Sequence, residues 1–75
     1  LLQGFVESVS DPSFTILGVT IQTGGATVFR DVNDNVISQT DFFNQLSPTS
    51  LVKAKGSEVS DTVISAEEVE FELEF

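Results

Sequence analysis

The residues of this chain best suited to chemistry are oxygen donors. Asp31-x-Asn33-x-Asn35 matches the opening of a calcium-binding loop of the Asp-x-Asp/Asn-x-Asp/Asn-Gly type. The match then fails, because Val36 occupies the glycine position and Phe42 stands where a bidentate glutamate closes such a loop. A turn rich in Asp and Asn is the better account, since both side chains hydrogen-bond nearby backbone and tolerate left-handed geometry. The second set is Glu68, Glu70, Glu72 and Glu74, alternating along the last strand and so sharing one face. Such a row suits a divalent-cation strip or an acidic contact surface. The simpler reading, favoured here, is a solvated face that discourages edge pairing. Lys53 and Lys55 are expected across from some of these carboxylates, where exposed ion pairs contribute little.

Neither set is arranged for catalysis. Acid–base work by paired carboxylates needs one of them in an apolar pocket with a raised pKa. These acids alternate with core residues or sit in turns, which places them in water. The chain has no histidine and no cysteine. That removes the commonest general base and metal ligand, any thiolate site and any disulfide. No nucleophile has a base beside it, and Gly18, Gly24 and Gly25 lack the setting of a phosphate loop. The expectation is a protein that is not an enzyme, with no catalytic, cofactor-binding or metal residues and no cofactor.

Charge bounds the partners. Twelve carboxylates against Arg30, Lys53 and Lys55 give a formal charge of −9. Nucleic acid and anionic lipid both require clustered Lys and Arg, so nucleic-acid binding and direct membrane insertion are not expected. No apolar run approaches a membrane span, and no signal peptide is visible. The chain starts at Leu1 without methionine and is read as a piece of a longer precursor.

The elements that must position these residues fit one domain over residues 1–75, close to the lower limit for folding without staples. Seven phenylalanines are the expected core, each large apolar side chain stabilising by about 1.5–3 kcal/mol when buried. Leu2 to Val9 reads as a strand with Gly4 a candidate bulge, and Ser10-Asp11-Pro12-Ser13 as a turn. Within Phe14 to Ile21, a loop at Leu17-Gly18 sets Ile16 against Val19, Thr15 against Thr20 and Phe14 against Ile21. The four apolar residues then share one face, which favours a hairpin over a continuous strand. A type I′ loop also requires positive φ at Leu17. Gln22 to Gly25 is a turn or bulge, Ala26 to Arg30 a short strand, and Asp31 to Asn35 a polar loop.

The spacing predicts a helix over Gln39 to Leu46. Ser38 is its N-cap, Asp41 completes an acidic capping box, and Ile37 and Phe42 have hydrophobic-staple spacing. Phe42, Phe43 and Leu46 form its apolar stripe, and Ser47-Pro48 ends it. Leu51 to Glu58 reads as a strand with Lys53 and Lys55 on one face and Val52, Ala54 and Gly56 on the other. After a turn over Glu58 to Asp61, Thr62 to Phe75 returns as a long strand. Its apolar phase flips at Glu67-Glu68, which predicts a bulge or bend there. The fold class is mainly β: a small five-stranded barrel like that of oligonucleotide/oligosaccharide-binding (OB) proteins, with one short helix between strands three and four.

The chain also resembles domain-of-unknown-function family 5666, small β-barrel modules of bacterial exported proteins and lipoproteins. The resemblance is carried by Gly4-Phe5-Val6 with Ser8-Val9, Phe14 to Ile21, Thr27-Val28-Phe29, Leu51 to Gly56 and Ile64 to Glu70. One departure is Pro48-Thr49-Ser50, where the family often has a Gly-Asp turn. The resemblance brings no catalytic or binding residues. It implies placement in the cell envelope, periplasm or outside the cell, and frequent tandem repetition. Leu73-Glu74-Phe75, echoing Leu2-Gln3-Gly4-Phe5, is then read as the start of a following copy. The expected function is a non-catalytic structural or interaction module engaging protein partners or neighbouring repeats. The alternative is a barrel that binds a divalent cation or a small glycan.

Overall fold

The computed structural model describes residues 1–73, so Glu74 and Phe75, and with them most of the terminal echo, lie outside the described residues. Its elements are β1 (Leu2–Ser10), β2 (Ser13–Ile16), β3 (Val19–Gln22), β4 (Val28–Arg30), β5 (Val36–Ile37), α1 (Gln39–Gln45), β6 (Leu51–Ser60) and β7 (Val63–Phe71). The β2–β3 register is the one the apolar pattern predicts, pairing Phe14 with Ile21, Thr15 with Thr20 and Ile16 with Val19. Leu17 and Gly18 both take positive φ, 52° and 77°. Leu17 accepts this cost because any other register would turn Phe14, Ile16 and Ile21, all buried, toward water. Glu7 supports the loop, its Oε1 accepting a hydrogen bond from the Gly18 N–H at 2.9 Å.

Among the described residues seven strands form one sheet in the order β3-β2-β1-β6-β7-β4-β5, with a further parallel pairing of β3 to β7. Five of them therefore complete a circuit: β1 pairs β2 and β6, β7 pairs β6, and β3 pairs both β2 and β7. The expected count of five strands is corrected to seven, and the reason is local. β3 and β4 run along the same strand, β7, at Val63–Ser65 and at Glu68–Glu70. Between them the chain advances from Gln22 to Val28, six positions, while β7 advances from Ser65 to Glu68, three positions. The surplus bulges out at Thr23–Thr27, and the Thr27 hydroxyl donates to the Ala66 carbonyl at 2.8 Å, tying the interruption back to β7. The other addition is β5, a two-residue partner of β4.

The flip of apolar phase in the last strand is a bulge, as its sequence predicts. Lys55 faces Glu68 while Gly56 faces Ala66, leaving Glu67 without an opposite residue. Ala66 and Val69 are consequently both buried. The bulge brings the two backbones together at Gly56, where a Cβ would fall on the Ser65 carbonyl oxygen and within 2.9 Å of the Ala66 Cα. In β1 the expected bulge at Gly4 is corrected. Gly4 pairs regularly with Val52, and the irregularity lies at Glu7, between Val6 and Ser8. Gly4 serves instead as a close approach, since a Cβ there would stand 2.7 Å from the Ile16 Cγ2. The strand ends also shift: β6 runs on to Ser60, the turn is confined to Asp61 and Thr62, and β7 stops at Phe71.

α1 begins where its cap predicts, the Ser38 hydroxyl accepting from the Asp41 N–H at 3.0 Å. Two turns of helix are marginal alone, so packing must hold them. Phe42 supplies that packing: it is fully buried, stacks on Phe71 with centroids 4.6 Å apart, and meets Phe29 at 5.1 Å, Phe43 at 5.5 Å and Phe14 at 5.9 Å. Phe5 is a correction to the expected core. It is 55 % exposed, because the inward phase of β1 runs through Leu2, Gly4 and Val6. Beyond the helix, Ser47 to Ser50 forms a turn closed by the Ser50 N–H on the Ser47 carbonyl and by the Ser47 N–H on the Ser50 hydroxyl. This is the segment that departs from the family pattern.

Candidate functional site

The candidate loop is the connection between β4 and β5. Pairing of Arg30 with Val36 makes it a short hairpin loop, and the Asp31 N–H donates to the Asn35 carbonyl at 2.9 Å. What draws Asp31, Asn33 and Asn35 together is backbone. The Asp31 Oδ1 accepts from the Asn33 N–H at 2.9 Å and from the Asn35 N–H at 3.0 Å. Asp34 sits at φ 67°, the left-handed geometry that short polar side chains tolerate. The carboxylate best placed to open a cation loop is thus turned onto the loop's own amides, as an Asx turn.

The second candidate is the acidic face of β7, and its residues do lie together. Glu74 of this row lies outside the described residues. The other three are met by two cations from neighbouring strands. The Lys53 Nζ lies 3.3 Å from the Glu70 Oε1 and 3.3 Å from the Glu72 Oε1. The Arg30 Nε donates to the Glu68 Oε2 at 3.1 Å and lies 3.7 Å from the Asp34 Oδ1, while its Nη1 donates to the Asp34 carbonyl at 3.1 Å. Lys55 stands opposite Glu68 in the ladder, but that carboxylate is held by Arg30.

These contacts favour the charged forms of both cations. Hydrogen bonding to Glu68 raises the Arg30 pKa above its ordinary value, and hydrogen bonding to Glu72 and then Glu70 does the same for Lys53. Arg30 is the member of this cluster that local sequence reading misses, since its partner Glu68 is 38 positions away. It ties the Asp/Asn loop to the acidic face and so joins the two candidate regions.

Nothing polar is held inside. Among the described residues no polar or charged side chain is buried, and no three His, Cys, Asp or Glu residues gather as a metal cluster. Among the described residues no helix is long and apolar enough to cross a membrane. A shallow pocket of about 230 Å³ lies between the candidate loop and the ends of β6 and β7, lined by Asp31, Gln45, Leu51, Phe71 and Glu72 among others.

No curated protein and no solved structure matches the chain. A family model matches residues 3–70, from the start of β1 nearly to the end of β7, and its description is Domain of unknown function (DUF5666). With nearly the whole of its paired sheet inside the match, the chain belongs to that family of unknown function.

Proposed function

We propose that this chain is a small OB-like barrel acting as a non-catalytic structural or interaction module of a bacterial exported or envelope protein. Two features support the barrel reading. The circuit β1-β2-β3-β7-β6 is closed by a parallel pairing of β3 with β7. Counting β3 and β4 as one interrupted strand and setting β5 aside leaves five strands, with α1 between the third and fourth. The placement rests on what the family resemblance implies, exported proteins and lipoproteins with frequent tandem copies.

The observation that carries the functional reading is the employment of the carboxylates. Asp31 holds its own loop, and Glu68, Glu70 and Glu72 are paired with Arg30 and Lys53. Acids committed in this way leave an apolar interior and a charged, solvated exterior. That suits a spacer or protein-contact module better than a reaction centre. With a net charge of −9, and with two of its three cations paired, the surface also disfavours nucleic acid.

An amide chemical-shift titration with calcium, against magnesium at matched ionic strength, tests the reading. The expected result is small, unsaturated shifts spread along Glu68 to Glu72. Saturable, calcium-selective shifts clustered at Asp31 to Asp41 would overturn it and make the chain a cation-binding barrel.

A further inference from the structure

Four separate segments wall the pocket of about 230 Å³: the loop at Asp31 and Val32, Gln45 at the end of α1, Leu51 at the start of β6, and Phe71 with Glu72 at the end of β7. It falls short of the roughly 300 Å³ of the least small-molecule sites, so it takes one side chain better than a compact metabolite. Its lining is of two kinds. Val32, Leu51 and Phe71 are apolar, while Asp31 and Glu72 are carboxylates. An apolar stem that ends in a positive charge matches both.

Neither carboxylate is fully employed. Asp31 holds its loop through Oδ1 alone, and Lys53 approaches Glu72 at Oε1. Among the described residues the second oxygens, Asp31 Oδ2 and Glu72 Oε2, accept no hydrogen bond. This decides between the two long cations. A guanidinium binds best with both oxygens of one carboxylate in its fork. Here each carboxylate has one oxygen to give, and two single acceptors suit the point charge of an ammonium.

The rim is apolar and exposed. Phe5 stands opposite Leu51 in the β1–β6 ladder, and both Phe5 and Val32 are open to solvent. An exposed aromatic beside a charged pocket suits a protein partner better than a free amine, because aromatic side chains are enriched where proteins meet. A second copy of this chain would offer Lys55, which is exposed and makes no ion pair among the described residues. It would also bring a further −9 of charge, which disfavours self-association.

We propose that this pocket receives a lysine side chain from a partner protein. The methylene stem lies on Leu51 and Phe71, the ammonium sits between Asp31 and Glu72, and apolar neighbours of that lysine rest on Phe5 and Val32. The proposal rests on the interaction-module reading and names the contact through which the module holds its partner.

The test uses a capped Val-Lys-Val peptide as probe and amide shifts of the protein as readout. Capped Val-Arg-Val and Val-norleucine-Val are the controls, and n-butylammonium stands for a free amine. The expected result is a saturable response to the lysine peptide confined to Phe5, residues 31–33, Gln45, Leu51, Phe71 and Glu72. The arginine peptide and n-butylammonium should bind at least about threefold more weakly, and the norleucine peptide should not saturate. Asp31→Asn keeps an oxygen for the loop amides and replaces the free one by an amide NH₂, so it should weaken binding about threefold. Val32→Lys, at an exposed position, places the chain's own cation at the pocket mouth and should abolish the response. Equal binding of the norleucine peptide, or a response unchanged in both variants, would overturn the proposal. So would an arginine peptide that binds as tightly as the lysine one, or n-butylammonium that does so and thereby marks a free amine as the occupant. Concentration-dependent shifts at the pocket without peptide would also overturn it, by marking Lys55 of a second copy. All of these leave the module reading standing, because only calcium-selective saturation of the Asp31 loop removes that.

Discussion

The two ends of the β6–β7 hairpin are finished in different ways. Near Val52 and Phe71 the hairpin is covered: α1 lays Phe42 on Phe71, with Phe14, Phe29 and Phe43 around it. Near Gly56 and Ile64 no strand lies on the outer edge of β6 among the described residues, and the residue at the crossing has no side chain at all. One end is held by interlocking aromatic volume, which resists change in either direction. The other is held by backbone proximity around a bulge. Two different means of holding a strand pair are thus separated along one hairpin.

The comparison can be broken most forcefully at the aromatic end. Phe42→Ala should cost about 3–5 kcal/mol, as large cavities do. A chain of 75 residues has a total stability of roughly 4–11 kcal/mol. Urea melts should therefore show a domain that has lost from about a quarter to all of its stability. At the other end the sensitive position is Gly56. Gly56→Ala forces a methyl onto the Ser65 carbonyl, and neither backbone can yield without opening the bulge, so a loss of about 1–3 kcal/mol is expected in the same melts. A Gly18→Ala control separates the two meanings of glycine, since a Cβ at Gly18 has open space and only its positive φ opposes the change.

Smaller effects come from the candidate chemical residues. Asp31→Ala removes the acceptor for two amides and should cost about 1 kcal/mol, readable as a lower urea midpoint. Lys53 gives the smallest effect, with a defined sign. Its folded pKa is raised above the ordinary 10.5 by Glu72 and Glu70. The stability it contributes is therefore fully present below pH 10.5 and is lost as pH climbs past that value. The chain has no tyrosine or cysteine to titrate in that range. The loss should be visible as a falling melting temperature in the native protein and much reduced in Lys53→Met.

Much of this layout is legible in the sequence wherever contacts are local. The Phe14–Ile21 hairpin, the Ser38 cap and the phase flip at Glu67 each follow from spacing within ten residues or fewer, where a single register satisfies the apolar pattern. The Asp31 loop is legible too, because its failing calcium match and its Asp/Asn content both point to a turn. Long-range features are not. The parallel pairings of β3 and β4 to one strand depend on residues some forty positions apart, and no local pattern marks Thr23–Thr27 as an interruption within one line. Gly4 and Gly56 look alike as strand glycines, yet one yields to an Ile16 methyl and the other to a backbone. Phe5 misleads by type, because the inward phase of β1 is set by Gly4 and Val6 around it. Among the candidate acids, the row on β7 is visible as a row, but its pairing with Arg30 emerges only when β4 docks beside it.

The central claim, that one end is closed by aromatic packing while the other is held by backbone pairing around a bulge, is tested most directly by native-state hydrogen exchange. Amides of the strands around Phe42, such as Val69 and Phe71, should be the slowest. Beyond Ala54, where among the described residues only β7 pairs with β6, exchange should alternate, with Gly56 and Glu58 fast and Lys55 and Ser57 protected by β7. Uniform protection from Lys55 to Glu58, or equal rates at the two ends of the hairpin, would contradict the account.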